Sequence, residues 1–208
     1  MQRVLLTAFE PFDNQARNSS LEVAQGLLAK SPPGVDCRLA VLPVVADLCA
    51  ERAWSAVEQH QPDFILSLGQ SGASPCLRLE DRAVNLDDFS LPDNAGQVRI
   101  RQPIIEGAPA LLRTQIDVER LFACLRDRGH PVEWSFSAGT FVCNHLYYRL
   151  LHRCHAVARP VLFVHLPFLP GQIGPKQLGF VLDMQVQLRC LTALLMELAS
   201  QRAAAEAG

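Results

Sequence analysis

Apolar runs and amphipathic stretches alternate along the first third of the chain. Residues 3–9 form a β-rich apolar run closed by Glu10-Pro11, which reads as a strand buried on both faces. After a loop over residues 10–18, Ser19 or Ser20 can cap a helix running to about Lys30, with Glu22 in its first turn. Ser31-Pro-Pro-Gly34 stops it, and residues 37–45 give a second strand pattern. A second helix starts at Ala46 or Asp47 and ends near His60, with Leu48, Ala53, Trp54 and Val57 facing inward. Pro62-Asp63 leads into a third short apolar strand over residues 64–68, ended by Gly69-Gln-Ser-Gly72. The order β-α-β-α-β with short connections predicts an open α/β sheet with mostly parallel strands. Such sheets carry their sites at the carboxyl ends of strands. That rule selects the loops over residues 10–18 and 69–74.

The pattern then changes. Residues 77–86 partly alternate and suit an exposed or antiparallel strand. Residues 87–97 read as loop, residues 98–107 as a hairpin arm, and residues 116–128 as a helix closed by Gly129, with Val118, Leu121, Phe122 and Leu125 inward. A short apolar strand over residues 132–136 turns through Ser137-Ala-Gly-Thr140 into a helix whose Val142, Leu146, Leu150 and Leu151 share a face. This turn is a third strand-end site. Residues 161–166 are another buried strand, and a last amphipathic helix spans about Leu178 to Ala203, trailing into an Ala/Glu/Gly tail. No repeat, low-complexity insert or linker interrupts the chain, so residues 1–208 are expected to form one α/β domain.

Composition narrows the function. The apolar content of 49% implies a large core, and the formal net charge of -2 with no long basic run argues against a nucleic-acid partner. No apolar stretch reaches the ~18 residues of a membrane span, and the start does not read as a signal peptide, so the expected location is cytoplasmic. The seven cysteines are scattered without a C-x-x-C pair, which argues against a disulfide framework and against zinc. Most are expected to be free core thiols. His145, His152 and His155 cluster on one helix, and read as surface or packing residues before they read as metal ligands.

Cys143 falls at or within about one turn of a helix start. Unpaired N–H groups and the positive end of the helix dipole favour thiolate there, and the thiolate is the nucleophile. The same N–H groups can receive the oxygen of an attacked carbonyl. The competing reading is a buried cysteine packing as a small apolar residue. His165, at the carboxyl end of a late strand, is either a satisfied core histidine or the imidazole partner of the thiol. An orienting carboxylate would complete the set. Glu80, Asp81, Asp87 and Asp88 are candidates, and residue type does not choose among them.

Several blocks resemble the pyroglutamyl peptidase I (pyrrolidone-carboxylate peptidase) family of cysteine peptidases. They are Leu6-Thr-Ala-Phe-Glu-Pro-Phe12 with Asn18-Ser-Ser20, Leu68-Gly-Gln-Ser-Gly72, Glu80-Asp-Arg-Ala-Val-Asn-Leu-Asp-Asp88 with Pro92-Asp-Asn94, Ser137-Ala-Gly-Thr-Phe-Val-Cys-Asn-His145, and Val164-His-Leu-Pro-Phe-Leu-Pro170. The resemblance implies an α/β/α sandwich with a mixed, mostly parallel sheet, and removal of an N-terminal pyroglutamyl residue from peptides through a thioester. It implies Cys143 as nucleophile, His165 as general base and acid, and Glu80 as orienting acid, with no metal and no cofactor. It implies a homo-oligomer, dimer or tetramer. It places Phe9, Phe12, Phe141 and Val142 around the lactam ring, and it assigns the polar ring contacts to Asn18 and to Gln70 through its backbone carbonyl. A site pairing both lactam groups should reject proline, which would leave the Asn18 donor unpaired. The chain departs from the family at Ala8, Asp13, Asn14 and Ser19, where the family has Gly, two glycines and Pro, and at Ser90, where it usually has Arg. These departures motivate an alternative: a thiol amidase acting on another small cyclic or N-blocked acyl group. A second alternative is a non-catalytic relative that binds such peptides.

Overall fold

The computed structural model describes residues 1–157, 159–174 and 178–206, with side chains described through residue 201. Among the described residues, eight strands and five helices follow one another: β1 Gln2–Phe9, α1 Ser19–Ala29, β2 Val35–Leu42, α2 Ala46–His60, β3 Phe64–Gln70, β4 Leu77–Glu80, β5 Arg82–Val84, β6 Leu111–Arg113, α3 Val118–Asp127, β7 Val132–Ser135, α4 Val142–His155, β8 Val161–Leu166 and α5 Met184–Glu206. The last two residues of the expected tail lie outside the described residues.

Six strands form the central sheet in the order β2-β1-β3-β8-β4-β7, and β5 and β6 form a separate pair. The contacts β1–β2, β1–β3, β3–β8 and β4–β7 are parallel, and only β4–β8 is antiparallel. This is the expected mixed, mostly parallel sheet. Alternation along the strands divides the core in two. Leu6, Leu66, Leu79 and Val164 face a layer built from α1, α3 and α5. Leu5, Ile65, Val161 and Phe163 face a layer built from α2 and α4.

Five expectations are corrected. Of the two readings of residues 77–86, the antiparallel one holds, since β4 pairs antiparallel with β8, and the exposed one fails: β4 is inserted between β8 and β7, and Glu80 is wholly buried. Residues 98–107 form no hairpin arm. They meet the neighbouring segment through the isolated Asp87–Gln102 bridge, while β5 pairs with β6 instead. The cap of α1 is neither serine but Asn18, whose side chain accepts from the Ser20 N–H. Leu48 is exposed, and α2 buries Cys49 and Ala50 instead, one and two positions further on. The last helix also starts later, at Met184, because residues 178–182 run beside the loop after β8 and bond to it, as in Leu182 N–H to the Phe168 carbonyl.

Candidate active site

Three elements bring a thiol, an imidazole and a carboxylate to the α2–α4 face of the sheet. His165 lies on β8 at the same parity as Val161 and Phe163, so its ring points toward α4. Glu80 ends β4, the next strand, where it lies opposite Phe163 in antiparallel register. Its Oε1 accepts from His165 Nδ1 at 2.8 Å. This bond fixes the tautomer and leaves Nε2 free. Cys143 is the second residue of α4 and lies near enough to His165 to act on its ring electrostatically. Burial favours the neutral ring, but the nearby Cys143 and the bonded Glu80 outweigh it and push His165 up to about 9. The imidazolium is therefore the resident form at neutral pH.

The helix start completes the arrangement. Phe141 is the N-cap of α4 and offers no side-chain hydrogen bond, so the first N–H groups stay available for an oxyanion. Gly139, at φ 81°, supplies the left-handed step that lets the chain turn from β7 into this cap. Gly69 of β3 lies beneath the thiol. A Cβ there would stand 3.1 Å from Cys143 Sγ and 2.7 Å from ring atoms of Phe163. The thiol thus sits over bare backbone.

The structure sorts the four candidate acids. Glu80 meets His165. Asp81 binds Arg82 and Arg113, which hold its carboxyl below the usual range against the opposing effect of burial. Asp87 is buried and meets His145 Nδ1 at 2.9 Å and Arg99 Nη1 at 2.8 Å. The Asp88 backbone bonds Thr140 in the turn before Cys143.

The pocket residues of the sequence reading are only partly brought together. Phe12 and Phe141 meet with ring centroids 5.2 Å apart, and Phe89, which sequence reading missed, packs edge-on against Phe141 at 4.8 Å. Phe9 is buried at the end of β1, and Val142 is fully buried in the α2–α4 layer. The Asn18 amide donates to the Glu10 carbonyl at 2.9 Å, and its oxygen accepts from Ser20, so one of its two N–H groups is already used in closing the opening loop. The Gln70 side chain turns to the opposite face, where it bonds the Ser19 N–H, Gln15 and Gln172. That leaves backbone as the part of Gln70 on the Cys143 side.

Asp13 and Asn14 both adopt the left-handed conformation, at φ 53° and 56°, which short polar side chains tolerate better than most. Ser90 is exposed. The cation beside this stretch is Arg99, whose guanidinium lies 6.0 Å from the Phe89 ring centroid and also pairs with Asp47. The linkage of His145, Asp87 and Arg99 escaped the sequence reading, which had Asp87 only as a candidate acid and His145 as a packing residue, because they are joined across 12 and 58 positions with no local spacing. Among the described residues, no group of three or more His, Cys, Asp or Glu could hold a metal ion, and no helix is long and apolar enough to cross a membrane.

Comparison with known proteins follows the same lines. Residues 2–202 match the family model described as pyroglutamyl peptidase. A pyrrolidone-carboxylate peptidase of Vibrio vulnificus is 40% identical over 172 residues, covering 83% of this chain and 81% of its own. The crystal structure of pyrrolidone carboxyl peptidase from Fervidobacterium islandicum superposes with a TM-score of 0.90 at 32% identity, covering 96% of this chain and 99% of that one. Pyroglutamyl peptidase I from Bacillus amyloliquefaciens superposes with a TM-score of 0.86 at 30% identity, over 93% and 95% of the two chains.

Proposed function

The chain belongs to the pyroglutamyl peptidase family, and we propose that it is a cysteine peptidase releasing N-terminal pyroglutamate, with Cys143, His165 and Glu80 as its working residues. The single observation that supports this most is the Glu80–His165 hydrogen bond set beside Cys143 at an uncapped helix start.

Cys143 thiolate attacks the pyroglutamyl carbonyl, and N–H groups of the first α4 turn hold the resulting oxyanion. Collapse of the adduct breaks the C–N bond and leaves a thioester, while the His165 imidazolium gives its proton to the departing amine. Neutral His165 then takes a proton from water, whose oxygen attacks the thioester and frees pyroglutamate and the thiol. Glu80 keeps Nδ1 protonated throughout. Phe9, Phe12, Phe141 and Val142 supply apolar walls around the lactam. The remaining Asn18 N–H is the donor for the ring carbonyl, and the Gln70 carbonyl accepts the ring N–H. The whole chain works as one peptidase domain, cytoplasmic and assembled as a homodimer or homotetramer.

The test is release of a chromogenic amine from a pyroglutamyl amide. Cys143→Ala is expected to abolish it, and full activity in that variant would overturn the assignment. Prolyl and acetylated amides, assayed in parallel, should be poor substrates. A preference for either would favour the alternative amidase.

A further inference from the structure

One cation stands beside the proton-handling pair and has no part in the chemistry above. Arg78 lies on β4 directly opposite His165 in the antiparallel β4–β8 register, so the two side chains share the α4-facing surface of the sheet. Its Nε is 4.0 Å from Glu80 Oε1, the same oxygen that accepts from His165. Its Nη2 donates to Ser135 Oγ at 2.7 Å, and its Nε is 3.8 Å from Glu133 Oε1 on β7. Two polar atoms here are buried without a hydrogen-bond partner: Arg78 Nε and Glu80 Oε2. An arginine and a carboxylate at that separation, each with an unused valence, attract without closing into a full pair.

We propose that Arg78 is a positioning residue that competes with His165 for the Glu80 carboxylate and so limits how tightly the imidazolium holds its proton. This rests on His165 being the proton carrier of the proposed reaction. A carboxylate bonded to a buried imidazolium stabilises it, and excessive stabilisation makes a poor donor to the leaving amine. A guanidinium on the far side of the same oxygen opposes that hold through charge repulsion and through its claim on Glu80. Glu133 in turn draws Arg78 away from Glu80. The charged and titratable groups facing His165 are then Cys143 and Tyr147 from α4, Glu80 and Arg78 from β4, and Glu133 from β7 through Arg78. Tyr147 stays neutral, because burial raises its phenol and its hydroxyl donates to the Glu80 backbone carbonyl.

The signs follow. Removing the Arg78 charge strengthens the imidazolium, so the pH at which it loses its proton rises. Neutralising Glu133 releases Arg78 toward Glu80, so that pH falls. Charges at this spacing in a partly buried site are expected to move it by about half to one pH unit.

The experiment measures kcat/KM against pH for a pyroglutamyl amide in wild type, Arg78→Gln, Arg78→Lys and Glu133→Gln. Iodoacetamide alkylation of Cys143 against pH is measured on the same proteins, and reads the thiolate–imidazolium pair without any substrate. Arg78→Gln should raise both the alkaline limb of kcat/KM and the pH of the uppermost step in the alkylation profile, Arg78→Lys should restore most of the wild-type behaviour, and Glu133→Gln should lower both. Unchanged limbs in both substitutions overturn the proposal, as does a raised KM with unmoved limbs, which would make Arg78 a substrate contact. If Arg78→Gln does not fold, the opposite-signed shift in Glu133→Gln decides alone. Absence of pyroglutamyl turnover in wild type would overturn the functional reading, while the alkylation profiles would still decide the role of Arg78.

Discussion

At the scale of single residues, the site depends on a proton kept where it can be used. Burial alone would strip His165 of its charge, yet the neighbouring Cys143 and the bond to Glu80 hold it near 9. The activity against pH should therefore keep its alkaline limb near 9, and fall as the imidazolium is lost above it. A limb near the ordinary histidine value of about 6.5 would show that the ring is not paired in this way. Glu80→Gln replaces an acceptor-only carboxylate by an amide of the same shape, and is expected to lower the limb and reduce kcat by about tenfold or more, leaving KM less affected. Gly69 is the other residue with no slack. An alanine Cβ would press at 2.7 Å on Phe163, which packs on the His165 ring at 4.9 Å between centroids. Gly69→Ala is expected to cut kcat at least tenfold through displaced geometry. Wild-type turnover in that variant, measured with the same amide, would show that the strand yields.

Among the elements, α4 carries the thiol, and what fixes its start is a set of crosslinks invisible to local pattern. Asn144, fully buried, accepts from the Val84 N–H at 3.0 Å and donates to the carbonyls of Val84 and Leu86. Removing it leaves three part-buried backbone groups without this partner, each costing up to roughly 1–3 kcal/mol before relaxation. Asn144→Ala is expected to lose about 2–4 kcal/mol in urea unfolding and to lower activity through a shifted Cys143. A loss under 1 kcal/mol would mean that water replaces the amide. The same contrast explains what the sequence made legible. Runs such as residues 64–68 and the α4 face Val142, Leu146, Leu150 and Leu151 announce themselves by period, and all of these residues are buried. The segment from Leu77 misled because Leu77 and Leu79 alternate with Arg78 and Glu80, as in a strand with one wet face. That face is covered instead, with Glu80 wholly buried against His165 and Arg78 partly buried against Ser135 and Glu133. Local rules fail where function has placed polar groups inside. The α1 cap was missed for a smaller reason: Asn18 and the serines after it are all good caps, and only backbone geometry separates them.

Over the whole molecule, the sheet separates two apolar layers, and free thiols are sealed in both. Cys190 lies in the layer of α1, α3 and α5, while Cys49 and Cys154 lie in the layer of α2 and α4. Burial pushes Cys154 up to about 11, Cys190 up to about 12, and Cys49 well above its ordinary value. In the unfolded chain each ionises near 8.5. A group whose folded pKa is raised contributes stability that is complete below the unfolded value and is lost as pH climbs toward the folded one. Unfolding free energy should therefore begin to fall above about pH 8.5, each thiol adding a slope approaching about 1.4 kcal/mol per pH unit. This loss belongs to the fold and is separate from the alkaline limb of activity, which reports His165. Urea unfolding from pH 7 to 10 with Cys154→Ala and Cys190→Ala, singly and together, separates the two. Each substitution should cost a little stability at pH 7 through a small cavity, and should flatten the alkaline slope by one proton's worth. If the double variant loses stability above pH 8.5 as steeply as wild type, the thiols are not what alkali attacks, and the two layers are open to hydroxide by another route.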